Sequence, residues 1–144
     1  MELSQCGRCI PLKVKGLGID AVDVGRMRET LARRGRRFLK RILSDREMED
    51  LGLDAGGRAG GADIAARIAA RFAAKEAVAK ALGCGISRVA WKDIAVLRSG
   101  GGPIRVELAG GAMEVARSLG VSEVQVSITH ERTIAVAVAL AQGE

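Results

Sequence analysis

The sequence predicts an α+β fold, with an antiparallel sheet packed on one long helix and smaller helices around it. Three observations carry this. Residues 64–82 form an alanine-rich, helix-favouring run that stops at Gly83. Residues 121–129 alternate Val124, Val126 and Ile128 with Gln125, Ser127 and Thr129, the period of a strand with one covered face. A tight turn at Glu131-Arg132 leads into residues 133–140, a run apolar on both faces and so expected in the middle of the sheet.

The elements follow in order. Residues 14–21 read as a short strand containing Gly16 and Gly18, with Asp20 near its end. Residues 22–34 show helical spacing, with Val22, Met27 and Leu31 on one side and arginines elsewhere. Gly35 breaks that helix, and Phe38, Leu39, Ile42 and Leu43 continue as a second short one. Ser44-Asp45-Arg46-Glu47 is a capping-box pattern that starts a further short helix. A Gly-rich loop spans residues 54–61, and Asp63 is placed to cap the long helix. Residues 89–97 read as a strand containing Trp91, residues 99–103 as a turn and 104–108 as the returning strand. Gly110-Gly111 opens a helix over 112–119. An N-terminal extension of residues 1–13 precedes one domain, 14–144.

A chain of 144 residues suits a single core. Its aromatics are only Phe38, Phe72 and Trp91, so that core must be built from Val, Ile, Leu and Ala. No apolar run is long enough to span a bilayer, and the first fifteen residues lack a signal-peptide centre, so a cytoplasmic protein with no membrane partner is expected. Cys6 and Cys9 form a C-x-x-C pair, Cys84 is distant and His130 is the only histidine. A redox pair usually sits where a strand meets a helix, and a structural zinc needs four ligands brought together, so reduced thiols in a ragged N-terminal extension are the expected reading.

The net charge is +6, and it is concentrated. Arg26, Arg28, Arg33, Arg34, Arg36, Arg37, Lys40, Arg41 and Arg46 crowd one segment, opposed by Glu29 and Asp45. Such a segment implies an acidic partner (nucleic acid, membrane surface or acidic protein), unless it is only a solvated helix face. Phe38 is its one aromatic, which disfavours a base-stacking platform.

Within the long helix, Phe72, Glu76 and Lys80 share a face. Glu76 and Lys80 have the orientation of a surface ion pair worth about 0.2–0.5 kcal/mol. Arg71, Lys75 and Lys80 bring three cations around one acid, which suits a phosphate-bearing ligand bridged by a metal. Asp20 is a candidate metal ligand or a helix N-terminal acid. His130 is a turn residue or a contact for an anion.

Three segments together resemble the holo-acyl-carrier-protein synthase family of 4′-phosphopantetheinyl transferases. They are Gly16-Leu17-Gly18-Ile19-Asp20-Ala21-Val22-Asp23-Val24 with Arg26 after it, Arg71 to Gly83 (RFAAKEAVAKALG) followed by Cys84-Gly85, and Val126-Ser127-Ile128-Thr129-His130, with Gly102-Pro103 between the last two. The resemblance covers residues 14–140 and implies the 4′-phosphopantetheinyl transferase fold. It implies Mg²⁺-dependent transfer of phosphopantetheine from coenzyme A to a serine of apo acyl carrier protein, in support of fatty acid biosynthesis. By the family's pattern Asp20 and Glu76 ligate Mg²⁺, and Lys80 sits near the pyrophosphate as a third catalytic residue. Arg71 and Lys75 are further basic candidates around coenzyme A, and Gly83, Gly85, Pro103 and His130 line its adenosine and 3′-phosphate. Arg26, Arg33, Arg37, Phe38 and Arg41 dock the acidic helix of the carrier, and the enzyme is a homotrimer with each site in a cleft between subunits. The chain departs from the pattern in residues 1–13, in the loop near 56–61, and at Cys84 and Gly102, where relatives often carry threonine and lysine.

Two other readings compete. A basic nucleic-acid-binding module explains the arginines but not acids set among glycines and lysines, and it predicts salt-sensitive duplex binding. A structural subunit with an Arg71–Glu76–Lys80 ion-pair network predicts no metal dependence.

Overall fold

Gly16 and Gly18 let the first strand lie directly on the backbone of the long helix. A Cβ at Gly16 would fall 1.8 Å from the carbonyl oxygen of Ala81, and one at Gly18 1.9 Å from that of Ala77. Only hydrogen fits there, so what approaches these glycines is another backbone. The computed structural model describes residues 13–54, Gly57 and residues 63–144. The Cys6/Cys9 pair and most of the Gly-rich loop lie outside the described residues.

Strand β1 (Lys13–Asp23) is longer than expected and takes in Val22. It ends where Asp23 caps helix α1 (Val24–Ile42), Asp23 Oδ1 accepting the Arg26 N–H at 2.7 Å. Gly35 interrupts α1 with φ 45° and ψ −129°, a backbone that disfavours any side chain. Helix α2 (Asp45–Asp50) starts with the expected capping box. The Glu47 N–H donates to Ser44 Oγ at 3.3 Å, and the Ser44 N–H donates to Glu47 Oε2 at 2.9 Å.

Helix α3 (Ile64–Ala81) is the centre of the molecule. The expected side-chain cap from Asp63 is absent, because that carboxylate pairs with Arg28 at 2.8 Å instead. Gly83, at φ 66°, ends the helix. Its N–H donates to the Lys80 carbonyl and the Cys84 N–H to the Ala79 carbonyl, both at 3.0 Å. Thirteen residues of α3 are buried, because the helix is enclosed by the sheet on one side and by α1 and α2 on the other. This explains its alanines: two backbones can approach it closely only if the side chains between them are small. Leu39, Ile42, Leu43, Leu51 and Ile68 fill the second half of the core, each contributing about 1.5–3 kcal/mol relative to exposure.

Among the described residues the strands form two antiparallel sheets, where the sequence suggested one. Strand β2 (Ile94–Leu97) pairs with β3 (Arg105–Leu108) in a two-stranded sheet. β2 begins later than expected because Trp91–Asp93 is a 3₁₀ turn. The Asp93 carboxylate fixes that turn by accepting N–H groups from Ala90 at 3.3 Å and Gly111 at 3.1 Å. Helix α4 (Gly110–Ser118) then leads to β4 (Val121–His130) and β5 (Ile134–Gly143). The second sheet has the order β1-β5-β4, so β5 is central, as its sequence implied.

β5 is apolar on both faces for two reasons. Ala137, Ala139 and Ala141 pack with the alanines of α3. On the other face Val138 lies opposite Ile19 and Leu140 opposite Leu17. Within this chain that outer face is uncovered: Leu17 is 67% exposed, Ile19 61% and Val138 38%. Among the described residues no helix is long and apolar enough to cross a membrane.

Candidate active site

Asp20 follows Gly16 and Gly18 at the two-residue period of β1, so it shares their face, the one turned to α3. Glu76 and Lys80 reach the same place from α3, one turn apart. Lys80 Nζ donates to Asp20 Oδ1 at 2.9 Å and to the Ile19 carbonyl at 2.8 Å. The expected Glu76–Lys80 pair does not form, and among the described residues Glu76 has no ion pair. Burial pushes the Glu76 carboxyl up, the charge of Asp20 adds to that, and Lys80 only partly offsets it. Because Asp23 caps α1, Asp20 is free of that task.

Two carboxylates held close enough to repel, with one half-exposed ammonium beside them, fit a hard divalent cation. Among the described residues no group of three or more His, Cys, Asp and Glu side chains is placed to hold a metal. A metal here would therefore take two protein ligands, as suits Mg²⁺, which retains waters and shares substrate phosphates.

Asp20 and Glu76 line a cavity of about 660 Å³ whose other wall is α1. Arg26, Arg33 and Phe38 line it too, so three of the five expected docking residues stand beside the carboxylates. Phe38 stacks on Phe72 at 6.3 Å, and Phe72 meets Trp91 with tilted rings at 4.4 Å. Arg37 and Arg41 are exposed on α1 outside this cavity.

Lys75 is a correction. It is fully buried, and its Nζ donates to Glu47 Oε2 at 2.7 Å, the Ile94 carbonyl at 2.5 Å and the Trp91 carbonyl at 2.9 Å. All three protons are used, so none remains for coenzyme A. Arg71 also turns away from Glu76 and pairs with Asp50 at 2.5 Å. The three cations therefore do not surround one acid. The acids of α2 take two of them and bind the edge of β2 as well: Glu47 Oε1 accepts the Val96 N–H and Asp50 Oδ2 the Arg98 N–H, both at 3.0 Å. Nothing in the sequence pairs these partners, since each contact spans at least twenty-one residues.

A second cavity, of about 510 Å³, holds His130 and Arg71 together with Arg67 and Arg98. Burial lowers the Arg71 pKa against the opposing charge of Asp50. Among the described residues its Nε is buried without a hydrogen-bond partner. Arg67 and Arg98 had no sequence signal beyond their charge. Gly83 and Gly85 lie exposed past the end of α3, and Pro103 is exposed before β3; none of the three lines either cavity. The expected site residues thus fall into separate parts of this chain.

Residues 16–139 match the model of the 4′-phosphopantetheinyl transferase superfamily. The holo-[acyl-carrier-protein] synthase of Natranaerobius thermophilus is 40% identical over 125 residues, covering 87% of this chain and 94% of that protein. The crystal structure of the holo-acyl-carrier-protein synthase of Plasmodium yoelii superposes with a TM-score of 0.78 at 28% identity, covering 93% of this chain and 98% of the other. That of the Helicobacter pylori synthase in complex with coenzyme A gives a TM-score of 0.71 at 28% identity, covering 87% and 98%. With its glycine-strand aspartate, its helix glutamate and these likenesses over nearly its whole length, the chain belongs to the 4′-phosphopantetheinyl transferase superfamily, among the holo-[acyl-carrier-protein] synthases.

Proposed function

We propose that this chain transfers 4′-phosphopantetheine from coenzyme A to a serine of apo acyl carrier protein in a Mg²⁺-dependent reaction, releasing adenosine 3′,5′-bisphosphate. The observation that carries the reading is the Asp20–Glu76 carboxylate pair, with Lys80 beside it, facing an arginine-lined wall of α1.

Bound Mg²⁺ supplies charge neutralisation on the pyrophosphate as the bisphosphate leaves. Asp20 and Glu76 hold it. Lys80 is half exposed and adds a second positive charge on the same side. Arg26 and Arg33 receive the acidic carrier, and the exposed Arg37 and Arg41 extend that surface. Phe38, at the cavity wall, gives the carrier an apolar contact. Arg71 and His130, which line the second cavity together, bind the 3′-phosphate. Gly83, Gly85 and Pro103 border the adenosine.

The division of these residues between separate cavities, and the uncovered apolar face of Leu17, Ile19 and Val138, favour a homotrimer. The metal site of one subunit then faces the phosphate cavity of the next. Support of fatty acid biosynthesis in the cytoplasm follows from the carrier substrate.

Intact-mass measurement of an apo acyl carrier protein tests the reaction. With this protein, coenzyme A and Mg²⁺ the carrier gains one phosphopantetheine, and a chelator prevents the gain. No gain with any of several carriers, together with salt-sensitive binding to random duplex, overturns the reading in favour of a nucleic-acid module.

A further inference from the structure

The phosphate cavity contains more positive charge than Arg71 and His130 supply. Arg98 is the first residue after β2, and its backbone is fixed: its N–H donates at 3.0 Å to Asp50 Oδ2, the oxygen that also takes the Arg71 guanidinium at 2.5 Å. One carboxylate oxygen therefore sets both the guanidinium of Arg71 and the point from which the Arg98 side chain leaves the backbone. Both side chains line the same cavity. The positive charge of Arg98 acts on Arg71, so two like charges are held near each other.

The acids of the cavity are already engaged. Asp50 is committed to Arg71 and to the Arg98 backbone, and Asp63 pairs with Arg28. The Arg98 side chain is exposed and has no ion pair among the described residues. The connection from Ser99 to Ile104 contains no basic residue, so Arg98 is the one cation that this side of the cavity can bring. Two guanidiniums lining one cavity suit a dianion, and a phosphate monoester is one near neutral pH.

We infer that Arg98 is a further cofactor-binding residue, which meets the 3′-phosphate of coenzyme A beside Arg71 and makes the enzyme favour 3′-phosphorylated donors. The inference rests on the proposed transfer reaction and adds a specificity residue to it.

The test compares coenzyme A with 3′-dephospho-coenzyme A as donor for wild type, Arg98→Ala and Arg98→Glu, with melting curves to establish that the variants fold. For Arg98→Ala the KM for coenzyme A rises about tenfold or more while kcat changes little, and the KM for the dephosphorylated donor does not move. Arg98→Glu widens the loss for coenzyme A only. Equal effects on both donors, or none on either, overturn the role of Arg98 and leave the transfer reaction standing. A wild type that transfers but does not distinguish the donors overturns both the inference and the placing of the 3′-phosphate. A wild type that transfers from neither donor overturns the reaction itself, and the inference with it.

Discussion

The ammonium of Lys80 rests 2.9 Å from Asp20 Oδ1, so the helix cation neutralises the strand carboxylate and leaves Glu76, one turn earlier, without an ion pair among the described residues. Glu76 therefore carries a charge that the metal-free fold disfavours, and it gains most from a bound cation.

That cost is readable as a pH dependence. The Glu76 pKa is raised above its ordinary 4.5 by burial first and by Asp20 second. A raised carboxyl favours folding while protonated, and the advantage is lost as pH rises through the folded-state value. Metal-free Glu76→Gln should therefore melt a little higher than wild type at neutral pH and at the same temperature below pH 4.5. Mg²⁺ with coenzyme A should reverse the order at neutral pH by stabilising only wild type.

The Lys75–Glu47 pair makes the opposite prediction, a structural one. Lys75→Met leaves Glu47 buried and unpaired, which should cost roughly 3–5 kcal/mol in denaturant unfolding. Adding Glu47→Gln should return part of that loss. The KM for coenzyme A should be unchanged wherever the variant is folded. A raised KM with normal stability would restore Lys75 as a cofactor residue.

Gly18→Ala tests the seat of the metal site. The added carbon meets the Ala77 carbonyl at 1.9 Å, so β1 must move off α3. The expected loss is about 3 kcal/mol or more in stability, together with activity, because Asp20 shifts with the strand.

The outer face of the sheet should hold the subunits together. Ile19→Lys places a charge among Leu17, Val138 and Leu140, and light scattering should then show monomers where wild type shows trimers. If each site spans two subunits, Glu76→Ala and His130→Ala proteins should each be inactive alone. Mixed trimers of the two should recover activity.

Much of this was legible in the sequence because short-range rules govern it. The capping box at Ser44, the stop at Gly83, the break at Gly35 and the central position of β5 depend on neighbours within a few residues or on period. Asp20 stood out at the end of a glycine-containing strand, and Glu76 as one acid among three cations of the long helix. Lys75 misled because neighbours in sequence point about 100° apart round a helix, which sends it to α2 while Glu76 faces β1. The strand through Trp91 failed for a similar reason. Its apolar pattern fits a strand, but Asp93 is used to fix a turn against Gly111, eighteen residues away. Arg98 carried no mark because its significance depends on Asp50, forty-eight residues distant.

Metal binding tests the central claim most directly. Mn²⁺, whose resonance signal is lost on binding, can be titrated into the protein with coenzyme A present. Wild type should bind one ion per subunit, and Mg²⁺ should displace it. Asp20→Asn and Glu76→Gln should each abolish that binding while retaining the fold. Undiminished binding in both variants would contradict the assignment of Asp20 and Glu76 as the metal site.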